Sequence, residues 1–313
     1  MSSPKFGWYG LGSMGIGMAL NLQKHLKSSE ASPLVYSNRT LARGDVLKAE
    51  GATPVEDFKS VVKASDVIFT MISDDVVLNS LVEEATSLEN IRGKLFIDTS
   101  TVHPSTSSAV AKALGTKGAD FIASPVFGAS PMAAAGKLIF AMAGPQEQIV
   151  RVSPYIQDVM GRQIINLGAE VQNSSLLKIS GNIFVIGFQE LIAEAQVFAE
   201  KTGLGTARIE EFIGSMFGPV LESYSKRMTS GSWAPPLGTP PGFAVSLASK
   251  DARHALAIAE EKGTQLPTLA TALSRMTKAR EYAGESLDSA SVYGIARLEA
   301  GLPFWSKNSR QGN

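Results

Sequence analysis

The sequence predicts an α/β protein: a doubly wound, largely parallel sheet over residues 1–168, then an all-α region over residues 169–313 entered through a long interdomain helix. Three observations carry this. Short, mostly apolar runs without alternation, such as residues 65–71 and 94–98, recur between helical stretches in the first half, as strands buried on both faces require. Past Gly168 the strand pattern stops and every periodic stretch is helical. Between the halves, residues 171–202 contain no proline and form a strongly apolar run. As a helix this run is roughly 45 Å long, enough to link two domains.

Taken in order, residues 6–9 form an apolar strand that turns on Gly10, Gly12 and Gly15, with a helix opening at Ser13. A second strand covers 33–37, and helices cover 41–50 and 57–64. The strand at 65–71 is followed by a helix at 78–89, the strand at 94–98 by a helix at 105–115, and a further strand covers 119–123. Strands at 137–143 and 163–167, flanking a helix that begins near Gln146, continue the same sheet. The second half contributes helices at 207–217, 221–228, 244–262, 268–285 and 289–298. Residues 229–242 are too rich in proline and glycine for regular structure. Trp233 and Phe243 mark them as an ordered connection, with a role as a lid left open.

Composition narrows the function classes. At 44% apolar and 19% charged residues, the chain reads as globular, with length for two domains. Its 29 basic and 29 acidic residues balance, which points to neither nucleic acid nor an anionic membrane surface. The apolar runs read as too interrupted to span a bilayer. Without cysteine there is no disulfide framework, thiol nucleophile or thiolate metal site. His25, His103 and His254 lack metal-ligand spacing, so no metal is expected. Residues 1–5 lack the charged and apolar regions of a signal peptide, which predicts a cytoplasmic protein.

The glycine turn carries the first chemical signal. In strand–turn–helix context Gly10-Leu11-Gly12-Ser13-Met14-Gly15 is the dinucleotide fingerprint of a Rossmann-type domain. Gly10 permits the tight turn, Gly12 lets the backbone approach a pyrophosphate, and Gly15 lets helix and strand pack closely. The helix start aims N–H groups and a positive dipole end at that pyrophosphate. The second strand ends on Asn38-Arg39-Thr40, where an acidic residue would select NAD through the ribose 2′-hydroxyl. Arg39 instead offers a guanidinium fork to a 2′-phosphate, so NADP is expected over NAD. A solvated loop cation is the competing reading of Arg39.

On the long helical run Lys178 and Asn182 stand four apart and share a face. When hydride reaches a carbonyl carbon, negative charge grows on oxygen, and a proton donor there lowers the barrier. A lysine among Leu176, Leu177, Ile179 and Ile183 is a candidate for desolvation, which lowers an amine pKa. Taken alone, Lys178 reads first as a snorkelling surface lysine.

Several motifs in order decide between these. The chain resembles the β-hydroxyacid dehydrogenase family, of the 3-hydroxyisobutyrate dehydrogenase type, over nearly all of residues 5–300. The likeness lies in the glycine turn, Asn38-Arg39-Thr40, residues 66–71, Asp98-Thr99-Ser100-Thr101 with Pro104, residues 124–128, Lys178 through Asn182, and Lys250-Asp251. The resemblance implies that Lys178 is the general acid/base and Asn182 its substrate-orienting partner. It implies cofactor contacts from the glycine turn, Asn38 to Thr40, Met71, Ile72, Thr101 and Lys250, and substrate contacts from Ser100, Phe127, Gly128 and Ala129. Two positions depart from the family pattern. Phe127 stands where the family usually has a serine that holds a substrate carboxylate, and Gly181 where it often has asparagine. Both make the site less polar, which points to a bulkier or less charged carbonyl substrate.

The expected activity is therefore NADP-dependent hydride transfer between a carbonyl and a hydroxyl group on a small molecule. An imine reductase of similar architecture, and a non-catalytic cofactor-binding scaffold, are the alternatives. Retention of Lys178 disfavours the first, and retention of both Lys178 and Asn182 the second. A long apolar helix in a helical domain also predicts a homodimer or larger homo-oligomer.

Overall fold

The computed structural model describes residues 3–312. They form two compact units that divide between Lys178 and Ile179, inside a helix rather than in a loop.

In the first unit six strands, β1 (Phe6–Tyr9), β2 (Val35–Ser37), β3 (Thr53–Pro54), β4 (Val67–Thr70), β5 (Leu95–Asp98) and β6 (Asp120–Ala123), make one parallel sheet in the order β3-β2-β1-β4-β5-β6. The order reverses between β1 and β4, which is where such sheets open a ligand crevice at their carboxyl ends. Neighbouring residues alternate between two cores. Phe6, Trp8, Val67, Phe69, Leu95 and Ile97 pack in one cluster, while Ile68, Phe96 and Phe121 pack in the other. Burial on both faces explains why these strands read as unbroken apolar runs.

The connecting helices are α1 (Gly15–Ser28), α2 (Asp45–Ala49), α3 (Phe58–Ala64), α4 (Asp75–Thr86) and α5 (Pro104–Gly115). Asp57, Asp74 and His103 cap α3, α4 and α5 with their side chains. Helix α1 starts at Gly15 rather than Ser13, and the helix expected at 41–50 is a 3₁₀ turn, Leu41–Gly44, followed by the short α2.

The last strands correct the sequence expectation. They do not extend the main sheet but make a second one, β7 (Val126–Phe127), β8 (Leu138–Met142) and β9 (Gly161–Asn166), with β7 and β8 antiparallel. The cause lies at Ser124-Pro125. Ala123 pairs with Ala143 in an antiparallel bridge, and Pro125, which has no N–H to continue the ladder, accepts from the Ala141 amide at 3.0 Å. Helix α6 (Ser130–Ala134) follows β7 and α7 (Gln146–Val152) precedes β9.

Helix α8 (Gln172–Thr202) spans 31 residues and carries the unit boundary. The expectation that no run could cross a bilayer is corrected, because α8 meets that test by length and composition. The remaining helices of the second unit are α9 (Thr206–Phe217), α10 (Pro219–Thr229), α11 (Val245–Glu261), α12 (Pro267–Ala283) and α13 (Val292–Glu299). Alanines 248, 252, 272 and 279 line the core between α11 and α12. The segment 229–242 is docked by Trp233, fully buried against Tyr293, Phe304 and Trp305. Its carbonyl accepts from the Asp288 amide at 3.0 Å, while residues 236–240 stay exposed.

Candidate functional site

The glycine turn is built as the strand-to-helix reversal requires. Gly10 sits at φ +99°, and a Cβ there would lie 2.1 Å from the Met71 carbonyl oxygen. A Cβ on Gly15 would lie 2.1 Å from the Gly10 oxygen. A Cβ on Gly12 would meet nothing within 4 Å, so this face of the backbone borders open space beside the start of α1. That start has no side-chain cap and no acidic residue in its first turn. An uncapped helix start beside a bare glycine is a ready seat for an anion, and the residues fit a dinucleotide pyrophosphate.

Two latches hold the loops around this turn. Asn38, at the end of β2, accepts from the Leu11 amide at 2.8 Å and donates to the Thr40 carbonyl at 2.8 Å. Its amide thus fixes the backbone of the fingerprint, while Arg39 and Thr40 are exposed beside it. Burial and Glu84 push the Tyr9 phenol at the end of β1 above its ordinary value, against the Arg39 charge. On the other side of the reversal Asp98, 2% exposed, accepts from Thr70 and Ser100, both at 2.7 Å. The Ser100 hydroxyl accepts in turn from the Ile72 amide at 2.8 Å. Ser100 is buried and its hydroxyl engaged on both sides, so it ties the loop after β4, with Met71 and Ile72, to the loop after β5, with Thr101.

Lys178 is set by the start of α8. Ser174 donates to the Ala141 carbonyl on β8, and Ser175 shares a buried hydrogen bond with Ser107 of α5 at 2.8 Å. Ala141 lies two residues along β8 from Ile139, the partner of Phe127 in β7. One helical turn beyond Ser174, the Lys178 ammonium therefore lies 4.7 Å from the centre of the Phe127 ring. Gly128, at φ +128°, makes the turn that follows, and Ala129 leads into α6.

In the second unit Asn182 donates to Asp251 at 2.6 Å, and Lys250 pairs with the same carboxylate at 3.3 Å. Asn182 and Asp251 are each 3% exposed. Asp251 was not among the expected site residues. It lies on the core-facing stripe of α11 with Ala248, Ala252 and Ala255, and a carboxylate within an apolar stripe is the signal that marks it. His103 is the cap of α5, its ring 2.7 Å from the Ser105 hydroxyl.

Comparison with known proteins accounts for both units. Residues 5–168 match the model described as the NAD binding domain of 6-phosphogluconate dehydrogenase, and residues 173–296 the model described as NAD-binding of NADP-dependent 3-hydroxyisobutyrate dehydrogenase. The chain belongs to the β-hydroxyacid dehydrogenase family. Its relatives include the NADH-dependent oxidoreductase ucdB of Aspergillus ustus, 30% identical over 93% of this chain and 98% of that one. Glyoxylate/succinic semialdehyde reductase 1 of Arabidopsis thaliana is 31% identical over 91% and 96%. A solved 3-hydroxyisobutyrate dehydrogenase of Mycobacterium tuberculosis with L-serine has the same fold, with a TM-score of 0.77 at 24% identity over 95% of this chain and all of that one. The family comprises NAD(P)-dependent hydroxyacid dehydrogenases and reductases, and this member is an oxidoreductase with NAD(P)-binding modules.

Proposed function

We propose that the chain is an NADP(H)-dependent oxidoreductase that interconverts a carbonyl and a hydroxyl group on a small molecule, with Lys178 as its acid/base. Residues 1–168 serve as the cofactor domain and 169–313 as the substrate and oligomerisation domain. A bound nicotinamide dinucleotide supplies or accepts the hydride at the carbonyl carbon. Lys178 gives its Nζ proton to the oxygen as charge develops there, and regains it from water; the reverse reaction runs the proton the other way. The glycine turn holds the pyrophosphate, with Asn38 and Ser100 as positioning residues behind it. Met71, Ile72 and Thr101 contribute the loop contacts, and Arg39 takes the 2′-phosphate. Asn182 orients the substrate, and Lys250 reaches the nicotinamide or substrate side.

The observation that carries this reading is the Lys178 ammonium held 4.7 Å from the Phe127 ring. The lysine that the family's chemistry needs is fixed there by two buried serine contacts. Beside it Phe127, Gly128 and Ala129 offer an aromatic wall rather than a serine hydroxyl. This favours an aldehyde or ketone bulkier or less charged than a short hydroxy acid's partner.

An NADPH oxidation screen over aldehydes, ketones, keto acids and imines, with NADH alongside, tests the reading. Reduction of uncharged carbonyls with NADPH favoured is expected, and Lys178→Ala lowers kcat by roughly a hundredfold to ten-thousandfold. Turnover intact in Lys178→Ala removes the mechanism, imines as the preferred substrates remove the reaction, and equal use of NADH removes the role of Arg39.

A further inference from the structure

Phe127 departs from the family pattern, and it lies against the residue the chemistry needs most. Both partners of this contact rest on anchored elements of one unit. Phe127 is paired with Ile139 in the β7–β8 ladder and is followed by Gly128, where a Cβ would meet the Leu138 side chain at 2.7 Å. Lys178 follows Ser174 and Ser175, whose hydroxyls are bonded to Ala141 and Ser107. A separation of 4.7 Å is inside the reach of about 6 Å over which an ammonium is attracted to an aromatic face. Lys178 and Phe127 are both half-buried, so water screens this attraction less than at the surface.

We propose that Phe127 is a positioning and selectivity residue: its ring face holds the Lys178 ammonium at the place from which the proton is delivered, and it disfavours substrates with a carboxylate beside the reacting carbonyl. This rests on the acid/base reading of Lys178. A serine here would hydrogen-bond the ammonium or a substrate carboxylate. The ring does neither; it attracts the cation through its π face and, unlike a serine hydroxyl, offers a substrate carboxylate no hydrogen-bond donor. The accepted substrate class is then a carbonyl with an uncharged alkyl or aryl substituent toward β7.

The test is Phe127→Leu, which keeps an apolar side chain and removes the π face, with Phe127→Tyr, Phe127→Trp and Phe127→Ser alongside. On uncharged ketones and aldehydes, Phe127→Leu lowers kcat by roughly threefold to thirtyfold with KM little changed, and Tyr or Trp restores it. Phe127→Ser shifts the kcat/KM ratio toward carboxylate-bearing substrates by about tenfold or more. Should Phe127→Leu fold poorly, mono- and difluorinated phenylalanine at position 127 keep the shape and weaken the face stepwise, and kcat falls in the same order. A Phe127→Leu variant with wild-type kcat, no rescue by Tyr or Trp, or a fluorinated series without trend overturns the proposal. Activity intact in Lys178→Ala instead overturns the reading beneath it, and the two failures are read from different variants.

Discussion

The two units finish their surfaces and interiors differently. Around the sheet, side chains tie the loops in chains from Asp98 through Ser100 to Ile72 and from Asn38 to Leu11, and among the described residues the buried side-chain groups without a hydrogen-bond partner are the small hydroxyls of Ser65 and Ser124. In the helical unit, Gln189 is 1% exposed with neither amide atom bonded, and the Gln196 oxygen and the Trp233 indole N–H are likewise unpartnered. The surfaces differ in the same sense. Large apolar side chains exposed on the first unit are aliphatic, while those on the second include Phe184, Phe198, Phe212, Phe217 and Tyr282. Exposed aromatics of this number mark the second unit for further burial, and we infer that a second copy of this chain covers them.

The strongest sign is the solvent-facing side of α8. Phe184, Leu191 and Phe198 follow one another at intervals of seven residues and are 65%, 59% and 67% exposed. Phe188 and Ala195, half-buried, fill the alternate positions, which makes the three-and-four spacing of a helix–helix seam. A stripe of this kind is self-complementary, as a two-fold dimer interface must be. Replacing Phe184 and Phe198 together by aspartate is expected to weaken self-association by roughly a hundredfold or more, read by sedimentation at micromolar concentration. A wild-type chain that sediments as a monomer, or a doubly substituted one that remains paired, would break the contrast between the units.

The buried acid of the helical unit gives the next effect. Glu190 on α8 is paired with Arg275 of α12, which also meets Glu194 and Glu299, while Lys278 bonds Glu299 at 3.1 Å. Burial outweighs the Arg275 charge and, with Glu194 and Glu299, pushes the Glu190 carboxyl up from 4.5 to about 7. The folded chain therefore keeps this proton where the unfolded chain releases it. The stabilisation is complete below pH 4.5 and is lost as pH rises toward 7. Glu190→Gln keeps the neutral form and flattens that part of the pH dependence by at most about 3 kcal/mol. Urea unfolding at pH 5 and pH 8 measures it, and equal slopes for the two proteins would show that Arg275 keeps Glu190 ionised.

What the sequence made legible is what is local. The glycine turn was readable because a positive φ at Gly10 and the close approach at Gly15 admit no side chain. Strands β4, β5 and β6 were readable because burial on both faces leaves an unbroken apolar run. The second sheet was not, because β7 has two residues and its partner is set by the reversal at Pro125 rather than by any periodicity. Among the candidate residues, Lys178 and Asn182 were singled out by their spacing and by resemblance. Asp251 was not, because its partner Asn182 is 69 residues away. Asn38 was found, but as part of a loop facing cofactor; that its amide holds the Leu11 backbone across 27 residues is visible only in the fold.

Asn38 gives the smallest predicted effect and the sharpest test of how complete the first unit is. Its carboxamide bridges the fingerprint and the end of β2, with both bonds at 2.8 Å, so Asn38→Ala leaves a partly buried Leu11 N–H without its acceptor. Losing one such bond costs about 1 kcal/mol. Because the turn is also fixed by the steric fit of Gly10 and Gly15, that loss is expected to loosen the turn without unfolding it. NADPH KM should therefore rise several-fold with kcat nearly constant. If Asn38→Ala instead leaves NADPH KM unchanged, the fingerprint holds its shape through its glycines alone. If it lowers kcat and leaves KM alone, the latch acts on the chemistry and not on the coenzyme.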